Sequence, residues 1–233
     1  ARPGSTWLDL ARPGSTWLMD MLHRHPWVTA LSEELGASRA LTPEQQREWL
    51  DRFYGAPVRR RIAVGFKAKL FYLADHGHLL DTLHRYDVRV IHLLRRNTLR
   101  AAISAIRSHE RHRASGAWNA RRADPPLPPT TIDPANLKRQ LSAAERDRDT
   151  LARFIGSLDT PIIEITFEDL LADRNAQLRR LAVFLRTPLF GFLADRTRFR
   201  KNTPTEWSDA VANLDELRAH VAGTPYERML GEP

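Results

Sequence analysis

A short run of residues near the start of the chain has the composition of an anion-binding loop. Arg12-Pro13-Gly14-Ser15-Thr16 follows a predicted strand and precedes a predicted helix. Gly14 allows a tight turn, after which the backbone amides that open the helix point at an anion on the positive end of the helix dipole. Ser15 and Thr16 add hydroxyl donors, and Arg12 adds a positive charge. The same residues also suit an ordinary helix N-cap.

This loop differs from the phosphate loop of ATP- and GTP-hydrolysing proteins. That motif requires a lysine directly before its final Ser or Thr, and the first lysine of this chain is Lys67. No acidic residue is obviously placed to hold magnesium. A kinase or another phosphotransferase is therefore a less favoured alternative.

Two further segments carry residues suited to phosphate. Arg95 and Arg96 end a predicted strand, and Ser104 lies on the helix that follows. An arginine fork binds phosphate oxygens, and a serine on one face of the next helix caps the same group. Arg200 and Lys201 form a basic pair near the C-terminus.

Together these segments resemble the sulfotransferases that use 3′-phosphoadenylyl sulfate (PAPS), in particular bacterial and carbohydrate-type members. In that family a basic residue, a small residue, Gly, Ser/Thr, Thr and Trp bind the 5′-phosphosulfate, and Arg12 to Trp17 match that order. The family's 3′-phosphate motif has an Arg at a strand end and a Ser eight residues later. Arg96 and Ser104 have this spacing, and Arg95 is a rival at a spacing of nine.

The resemblance implies roles for other residues of the donor site. Trp17 would stack on the adenine, although a tryptophan here also suits the core. Arg200 and Lys201 are similar to the family's Arg-Lys-Gly…Trp segment and would add to the binding of the 3′-phosphate. Asn202 stands where that segment has its Gly.

The resemblance also implies the residues of the transfer step. Lys67 matches the lysine of a Lys-Thr-His strand pattern, and with Arg12 it would stabilise the charge that develops during transfer. Lys69 stands where cytosolic members have a histidine base, and a lysine accepts a proton only with a strongly lowered pKa. A carboxylate is the better base, with Glu33 as first choice and Glu34 as second, because some bacterial members place a glutamate there. Both also suit an ordinary surface turn. No metal is expected.

Predicted strands and helices alternate along the chain and must position these residues. We expect a short strand at Thr6–Leu10 and strands rich in Val, Ile and Phe at Arg61–Lys69, Val88–Leu94 and Pro161–Phe167. We expect helices at Thr16–Arg24, Pro43–Tyr54, Gly77–Tyr86, Leu99–His109, Asn136–Leu158, Leu170–Leu185 and Ser208–Ala222. The alternation predicts an α/β fold with a central parallel β-sheet flanked by helices, as a P-loop-like nucleotide-binding core. We expect one domain over 1–233 with a lid or acceptor-side insertion at 109–145.

An exact repeat opens the chain, because Ala-Arg-Pro-Gly-Ser-Thr-Trp-Leu occupies both 1–8 and 11–18. We interpret the second copy as the working loop and helix, since a helix begun by the first copy would run into Pro13. The alternative is that the duplication damages the first strand and leaves the protein inactive. The chain does not begin with Met, so the sequence leaves open whether a targeting segment precedes it.

Composition narrows the class of protein. The net charge of +8 and the pI of about 10.5 favour a polyanionic ligand. There is no cysteine, and no apolar run approaches the roughly 20 residues that span a bilayer. A nucleic-acid-binding module is a further alternative, but the chain lacks a recognisable motif for it.

The prediction is a cytoplasmic enzyme that uses PAPS as co-substrate. It would move the sulfuryl group to a hydroxyl or amine of a carbohydrate or small-molecule acceptor, without nucleic acid or a membrane span. The sequence does not predict its oligomeric state.

Overall fold

The computed structural model describes residues 5–10, 15–31, 35, 41–55, 62–189, 197–201 and 203–232. Its strands are β1 Ser5–Leu10, β2 Val28–Leu31, β3 Ala63–Ala68, β4 Arg89–Leu94 and β5 Ile162–Thr166. Its α-helices are α1 Ser15–His23, α2 Pro43–Gly55, α3 His76–Arg85, α4 Thr98–Ser115, α5 Pro134–Gly156, α6 Phe167–Ala172, α7 Arg174–Phe184, α8 Trp207–Ala210 and α9 Leu214–Val221.

The five described strands form one sheet in the order β2-β3-β1-β4-β5, and every neighbouring pair is parallel. In the register of β1, Asp9 is the partner of Lys67 on β3, and Leu10 is the partner of His92 on β4. The predicted α/β fold with a parallel sheet is therefore confirmed.

The sequence of β3 explains its place inside the sheet. Strands of parallel sheets are covered on both faces and read as nearly continuous apolar runs. All six residues of Ala63–Ala68 are buried, and Lys67 is the one charged residue among them. Lysine is rarely buried this fully, so Lys67 stands out as a candidate functional residue.

The order of the strands identifies the edge of the sheet where a ligand is expected. After β1 the chain continues to β2 on one side of the sheet, and after β4 it continues to β5 on the other side. In open α/β sheets ligands bind beyond the carboxyl ends of the strands where the connections diverge in this way. The carboxyl ends of β1 and β4 are that place.

The two copies of the opening repeat adopt different structures. Ser5-Thr6-Trp7-Leu8 lies in β1, whereas Ser15-Thr16-Trp17-Leu18 opens α1. This outcome matches the interpretation of the second copy as the start of the helix. Strand β1 pairs with β3 on one edge and with β4 on the other, so the duplicated segment still supplies a central strand of the sheet.

Several predicted boundaries are wrong for identifiable reasons. Strand β2 was not expected, because its four residues Val28–Leu31 are too few to give a clear alternation. The helix predicted at Leu170–Leu185 is two helices, since Thr166 caps α6 and Asp173 interrupts the run to cap α7.

Two other helices also differ from prediction. Helix α4 continues past His109 to Ser115, where Gly116 adopts a φ of 70° and ends it with a left-handed residue. The single helix predicted at Ser208–Ala222 is divided into α8 and α9.

The chain divides into two compact units, each with its own apolar core. Residues 1–94 and 157–197 form the first unit, which contains the sheet, and its core packs α1 and α7 against the strands. Residues 95–156 and 198–233 form the second unit, whose core joins α4 and α5 to the C-terminal helices. The prediction of one domain with a lid at 109–145 stays a prediction.

A buried arginine holds the proline-rich segment 125–133 of the second unit. The Arg107 side chain on α4 is 1% exposed, and its guanidinium donates hydrogen bonds to the carbonyl oxygens of Leu127, Pro128 and Ala210. It also donates to Thr130 Oγ1, at 3.1 Å. Burial lowers the pKa of Arg107 from its ordinary value. Arginine suits this place because its planar fork reaches several acceptors at once.

Replacing Arg107 with Met tests this role, because the variant keeps much of the side-chain volume but leaves three carbonyls, of which that of Ala210 is buried, without this donor. We expect the free energy of unfolding to fall by about 3 kcal/mol, measured by urea denaturation. Arg113→Met, at an exposed position of the same helix, is the control and should change stability little. Equal effects of the two substitutions would contradict the role of Arg107.

Candidate active site

Two residues predicted separately for the sulfuryl end of the donor meet in the first unit. Lys67 Nζ donates a hydrogen bond of 3.4 Å to Thr16 Oγ1. Thr16 lies in the first turn of α1, and Lys67 lies near the carboxyl end of β3. The sequence places these residues 51 positions apart, so the parallel pairing of β3 with β1 is what brings them together.

The electrostatics of this contact favour an anion. Lys67 is 3% exposed, so its ammonium has little access to solvent water. The N-terminus of a helix carries a positive partial charge, and a cation beside it raises the positive potential further. The helix N-terminus, the Thr16 hydroxyl and the Lys67 ammonium therefore present hydrogen-bond donors in a region of positive potential. Such a group suits a phosphate or sulfonate oxygen.

Trp17 lies beside the Thr16 and Lys67 pair but has contacts with the protein on several sides. Its ring packs against the apolar core and meets the edge of Phe167, with ring centroids 6.0 Å apart. The guanidinium of Arg174 lies 4.6 Å from the centre of the ring. A cation over the face of tryptophan is a favourable arrangement in itself. The stacking of Trp17 on an adenine stays a prediction.

The predicted 3′-phosphate residues lie in the second unit, at and after the end of β4. Arg95 and Arg96 follow the strand directly; Arg95 is half-buried and Arg96 is exposed. Ser104 lies in the middle of α4, half-buried, and its carbonyl accepts a hydrogen bond from Ser108 Oγ. Arg96 lies one residue before the helix N-cap Asn97, so the eight-residue spacing corresponds to about two helical turns.

The other two predicted residues of that group lie on an extended segment paired with residues 120–122. Arg200 N donates to the carbonyl of Ala120, and Phe199 pairs with Arg121 in an antiparallel bridge. Arg200 Nη2 is buried and makes no hydrogen bond within the described part of the chain, so it is a donor suited to an anion. Lys201 is exposed.

A cluster around the start of α4 fixes the C-terminal end of the second unit. Asn97 Oδ1 caps the helix by accepting from Arg100 N, while its Nδ2 donates to the carbonyls of Met229 and Glu232. Arg100 donates through Nε to the Glu232 carbonyl, and its guanidinium lies 4.2 Å from the ring centre of Trp207. These contacts tie the segment after Lys201 to the helix that carries Ser104.

Sequence reasoning missed Asn97 and Arg100, although one signal was present. Arg100 and Ser104 are four residues apart, which places them on one face of a helix, and Arg96 precedes Arg100 by another four residues. The partners of Arg100, which are backbone carbonyls more than 100 residues away, follow no pattern in the sequence.

Five predicted site residues lie outside the described residues: Arg12, Pro13, Gly14, Glu33 and Glu34. Their assignments stay predictions. In the part of the chain that the structure describes, no group of three or more His, Asp or Glu side chains is arranged to hold a metal ion. In the same part, no helix is both long and apolar enough to cross a membrane.

Comparison with known proteins adds a relationship along nearly the whole chain. Nodulation protein H from Rhizobium tropici is 27% identical over 219 residues, which cover 89% of this chain and 85% of that protein. Nodulation protein H from Rhizobium meliloti is 28% identical over 225 residues, covering 91% and 88% respectively. The chain is therefore similar to Nodulation protein H along most of its length. No protein-family model matches the chain.

Three solved structures to which this chain is similar are sulfotransferases. One is from Alicyclobacillus acidocaldarius, with a TM-score of 0.48 and 19% identity over 99% of this chain and 94% of that one. The sulfotransferase domain of the curacin biosynthetic pathway has a TM-score of 0.48 and 16% identity, covering 99% and 90%. Mouse sulfotransferase SULT7A1, solved with PAP, has a TM-score of 0.46 and 17% identity, covering 100% and 89%. Sulfotransferases are thus among the proteins to which this chain is similar, as the sequence motifs predict.

The role of Asn97 is tested by Asn97→Asp, which keeps an oxygen to cap α4 but replaces the Nδ2 donor. A carboxylate would then face the carbonyl oxygens of Met229 and Glu232, so we expect a loss of about 2 kcal/mol in the free energy of unfolding. Proteolysis near the C-terminus should also become faster. Asn119→Asp is the control, because it makes the same chemical change at an exposed position of the same unit and should leave both quantities as in the wild type. If Asn97→Asp is as stable as the wild type and is cleaved at the same rate, the role of Asn97 in holding the C-terminal end is contradicted.

Proposed function

We propose that this chain is a sulfotransferase that moves the sulfuryl group of PAPS to a hydroxyl or amine of its acceptor. The observation that carries the proposal is the contact of Lys67 with Thr16 at the start of α1. Two segments that resemble separate sulfotransferase motifs meet there in a region of positive potential. The similarity to Nodulation protein H along nine-tenths of the chain supports it.

The residues of the first unit suit the 5′ end of the donor. PAPS supplies an activated sulfuryl group, whose transfer forms a bond from sulfur to the acceptor as the bond to the 5′-phosphate oxygen breaks. Lys67 stabilises the negative charge that this oxygen gains, because a fixed cation needs no reorganisation as charge develops. Thr16 and the first amides of α1 hold the phosphate oxygens, and Arg12 adds a second cation.

The acceptor must lose a proton as it attacks. Glu33 is the first candidate for the base and Glu34 the second, as carboxylates that follow the first helix and β2 in the chain. A base has to come within hydrogen-bond reach of the acceptor. Glu33→Gln and Glu34→Gln test the assignment. The variant that lacks the true base should lose turnover but still bind the donor.

The second unit suits the 3′ end of the donor. Arg96 and Ser104 are the proposed 3′-phosphate residues, with Arg95 as the alternative to Arg96. Arg200, which carries a buried Nη2 without a hydrogen bond among the described residues, and Lys201 add further donors. Bidentate binding by arginine would distinguish a nucleotide with a 3′-phosphate from ATP.

We propose a carbohydrate or a small metabolite as the acceptor, and the cytoplasm as the place of reaction. The absence of cysteine is compatible with a reducing compartment. No metal is needed for the chemistry, because the protein itself supplies cations.

Binding of adenosine 3′,5′-bisphosphate, the product that remains after transfer, tests the donor class. A ligand that binds the folded state stabilises it, by about 2.7 kcal/mol at 100 times its Kd. We expect this nucleotide to raise the Tm in a thermal-shift titration and ATP with magnesium to raise it far less. A rise with ATP alone would support a phosphotransferase and contradict the proposal.

Substitutions on α4 test the 3′-phosphate residues. We expect Arg96→Ala and Ser104→Ala each to weaken the binding of adenosine 3′,5′-bisphosphate at least tenfold, because each removes a donor to the phosphate. Isothermal titration calorimetry gives the Kd. The controls are Ser108→Ala, one turn further along the same helix, and Arg113→Ala, at an exposed position near its end. Wild-type affinity in both Arg96→Ala and Ser104→Ala would overturn the assignment.

A further inference from the structure

The first unit exposes a pair of aromatic side chains that its fold does not require. Phe71 is 64% exposed and Tyr72 is 37% exposed, and their ring centroids lie 4.3 Å apart. Among the described residues, the other exposed large hydrophobic side chains are Trp118, whose ring stacks on that of His112, and Val183 and Leu189. Isolated exposed apolar residues are ordinary, whereas an exposed cluster often marks a binding surface.

The backbone presents these two rings in a fixed way. Leu70–Tyr72 is a 3₁₀ turn that begins at the buried Leu70 and is followed by the buried Leu73. Tyr72 N donates to the Lys69 carbonyl, Leu73 N donates to the Leu70 carbonyl, and His76 Nε2 donates to the Leu70 carbonyl at 2.9 Å. The flanking residues are thus anchored, and a ligand would lose little affinity to ordering of the turn.

A positive charge accompanies the rings. Lys69 Nζ lies 5.3 Å from the ring centre of Tyr72 and 5.9 Å from that of Phe71. The surface therefore combines apolar faces with an ammonium and a phenol hydroxyl, which bind polar groups at the rim of a ligand.

The turn lies next to the proposed centre of sulfuryl transfer. Lys67 and Lys69 are separated by one residue, and the turn begins immediately after Lys69, beyond the carboxyl end of β3. This is the edge of the sheet where the contact of Lys67 with Thr16 lies. A ligand held on the two rings would therefore be close to that contact.

We propose that Phe71, Tyr72 and Lys69, named here the aromatic turn, bind a pyranose ring of a carbohydrate acceptor. The inference rests on the proposed function, because it identifies where that enzyme holds its acceptor. A pyranose with equatorial hydroxyls offers a flat face of C–H groups to the aromatic rings and hydroxyls at its rim to Lys69. A small apolar phenol instead needs an enclosed pocket that buries most of its surface. The open surface of the aromatic turn favours the sugar.

Cellotetraose is a suitable probe, because its β-1,4-linked glucose units have only equatorial hydroxyls. Saturation-transfer difference NMR with the full chain should show signals from the ring C–H protons of the sugar. We expect Phe71→Ser and Tyr72→Ser to weaken binding at least tenfold, and Tyr72→Phe to retain most of it because the stacking face remains. Val183→Ser, which removes an exposed apolar side chain from α7, is the matched control and should bind as the wild type does.

The Tm of each variant and its stabilisation by adenosine 3′,5′-bisphosphate are measured in parallel. Loss of sugar binding in Phe71→Ser and Tyr72→Ser, with both of these quantities retained, supports the aromatic turn as the acceptor surface. Absence of cellotetraose binding to the wild type, or equal binding by all variants, overturns the inference and leaves the proposed function untouched. If the wild type binds the sugar but not the nucleotide, the proposed function is contradicted, and so is the acceptor role of the aromatic turn. That result would still support the aromatic turn as a surface that binds carbohydrate.

Discussion

The structure depends on how a buried ammonium is accommodated at the start of a helix. Lys67 lies on a strand whose other residues are apolar or small, and it donates to Thr16 in the first turn of α1. A lysine in the core of a parallel sheet costs stability, and the positive end of a helix dipole adds to that cost. Under the proposed function, the anionic donor would bind there and offset that cost.

Much of the fold could be predicted from the sequence, and the exceptions have physical causes. The apolar runs around β3, β4 and β5 gave three of the strands to within two residues at each end. Ser-Thr-Trp-Leu, by contrast, is a strand in β1 and a helix in α1, so local propensity did not decide its structure. Tertiary context did: β1 pairs on both edges, whereas the second copy leads into the apolar run that forms α1. The missed strand β2 lies at the edge of the described sheet, where it pairs with β3, and its four residues are too few for periodicity to detect.

The candidate site was predictable in its residue types but not in its contacts. The resemblance predicts roles for Arg96, Ser104, Thr16 and Lys67, and it is the pairing of β3 with β1 that brings the last two together. The abundance of arginine likewise has a partly structural origin. Arg100 and Arg107 are buried and donate to backbone carbonyls, where the guanidinium fork satisfies acceptors that an ammonium would not reach together. The net charge of +8 therefore overstates the charge that is available to ligands.

The four lysines of the chain, Lys67, Lys69, Lys138 and Lys201, make a direct test feasible. Protein labelled with ¹³Cε-lysine gives four side-chain signals in a ¹H–¹³C correlation spectrum, which are assigned with single Lys→Arg variants. Because Lys67 contacts the first turn of α1, its signal should shift most on titration with adenosine 3′,5′-bisphosphate, while that of the exposed Lys138 should stay in place. Saturable binding that leaves the Lys67 signal unmoved would contradict the proposed position of the donor.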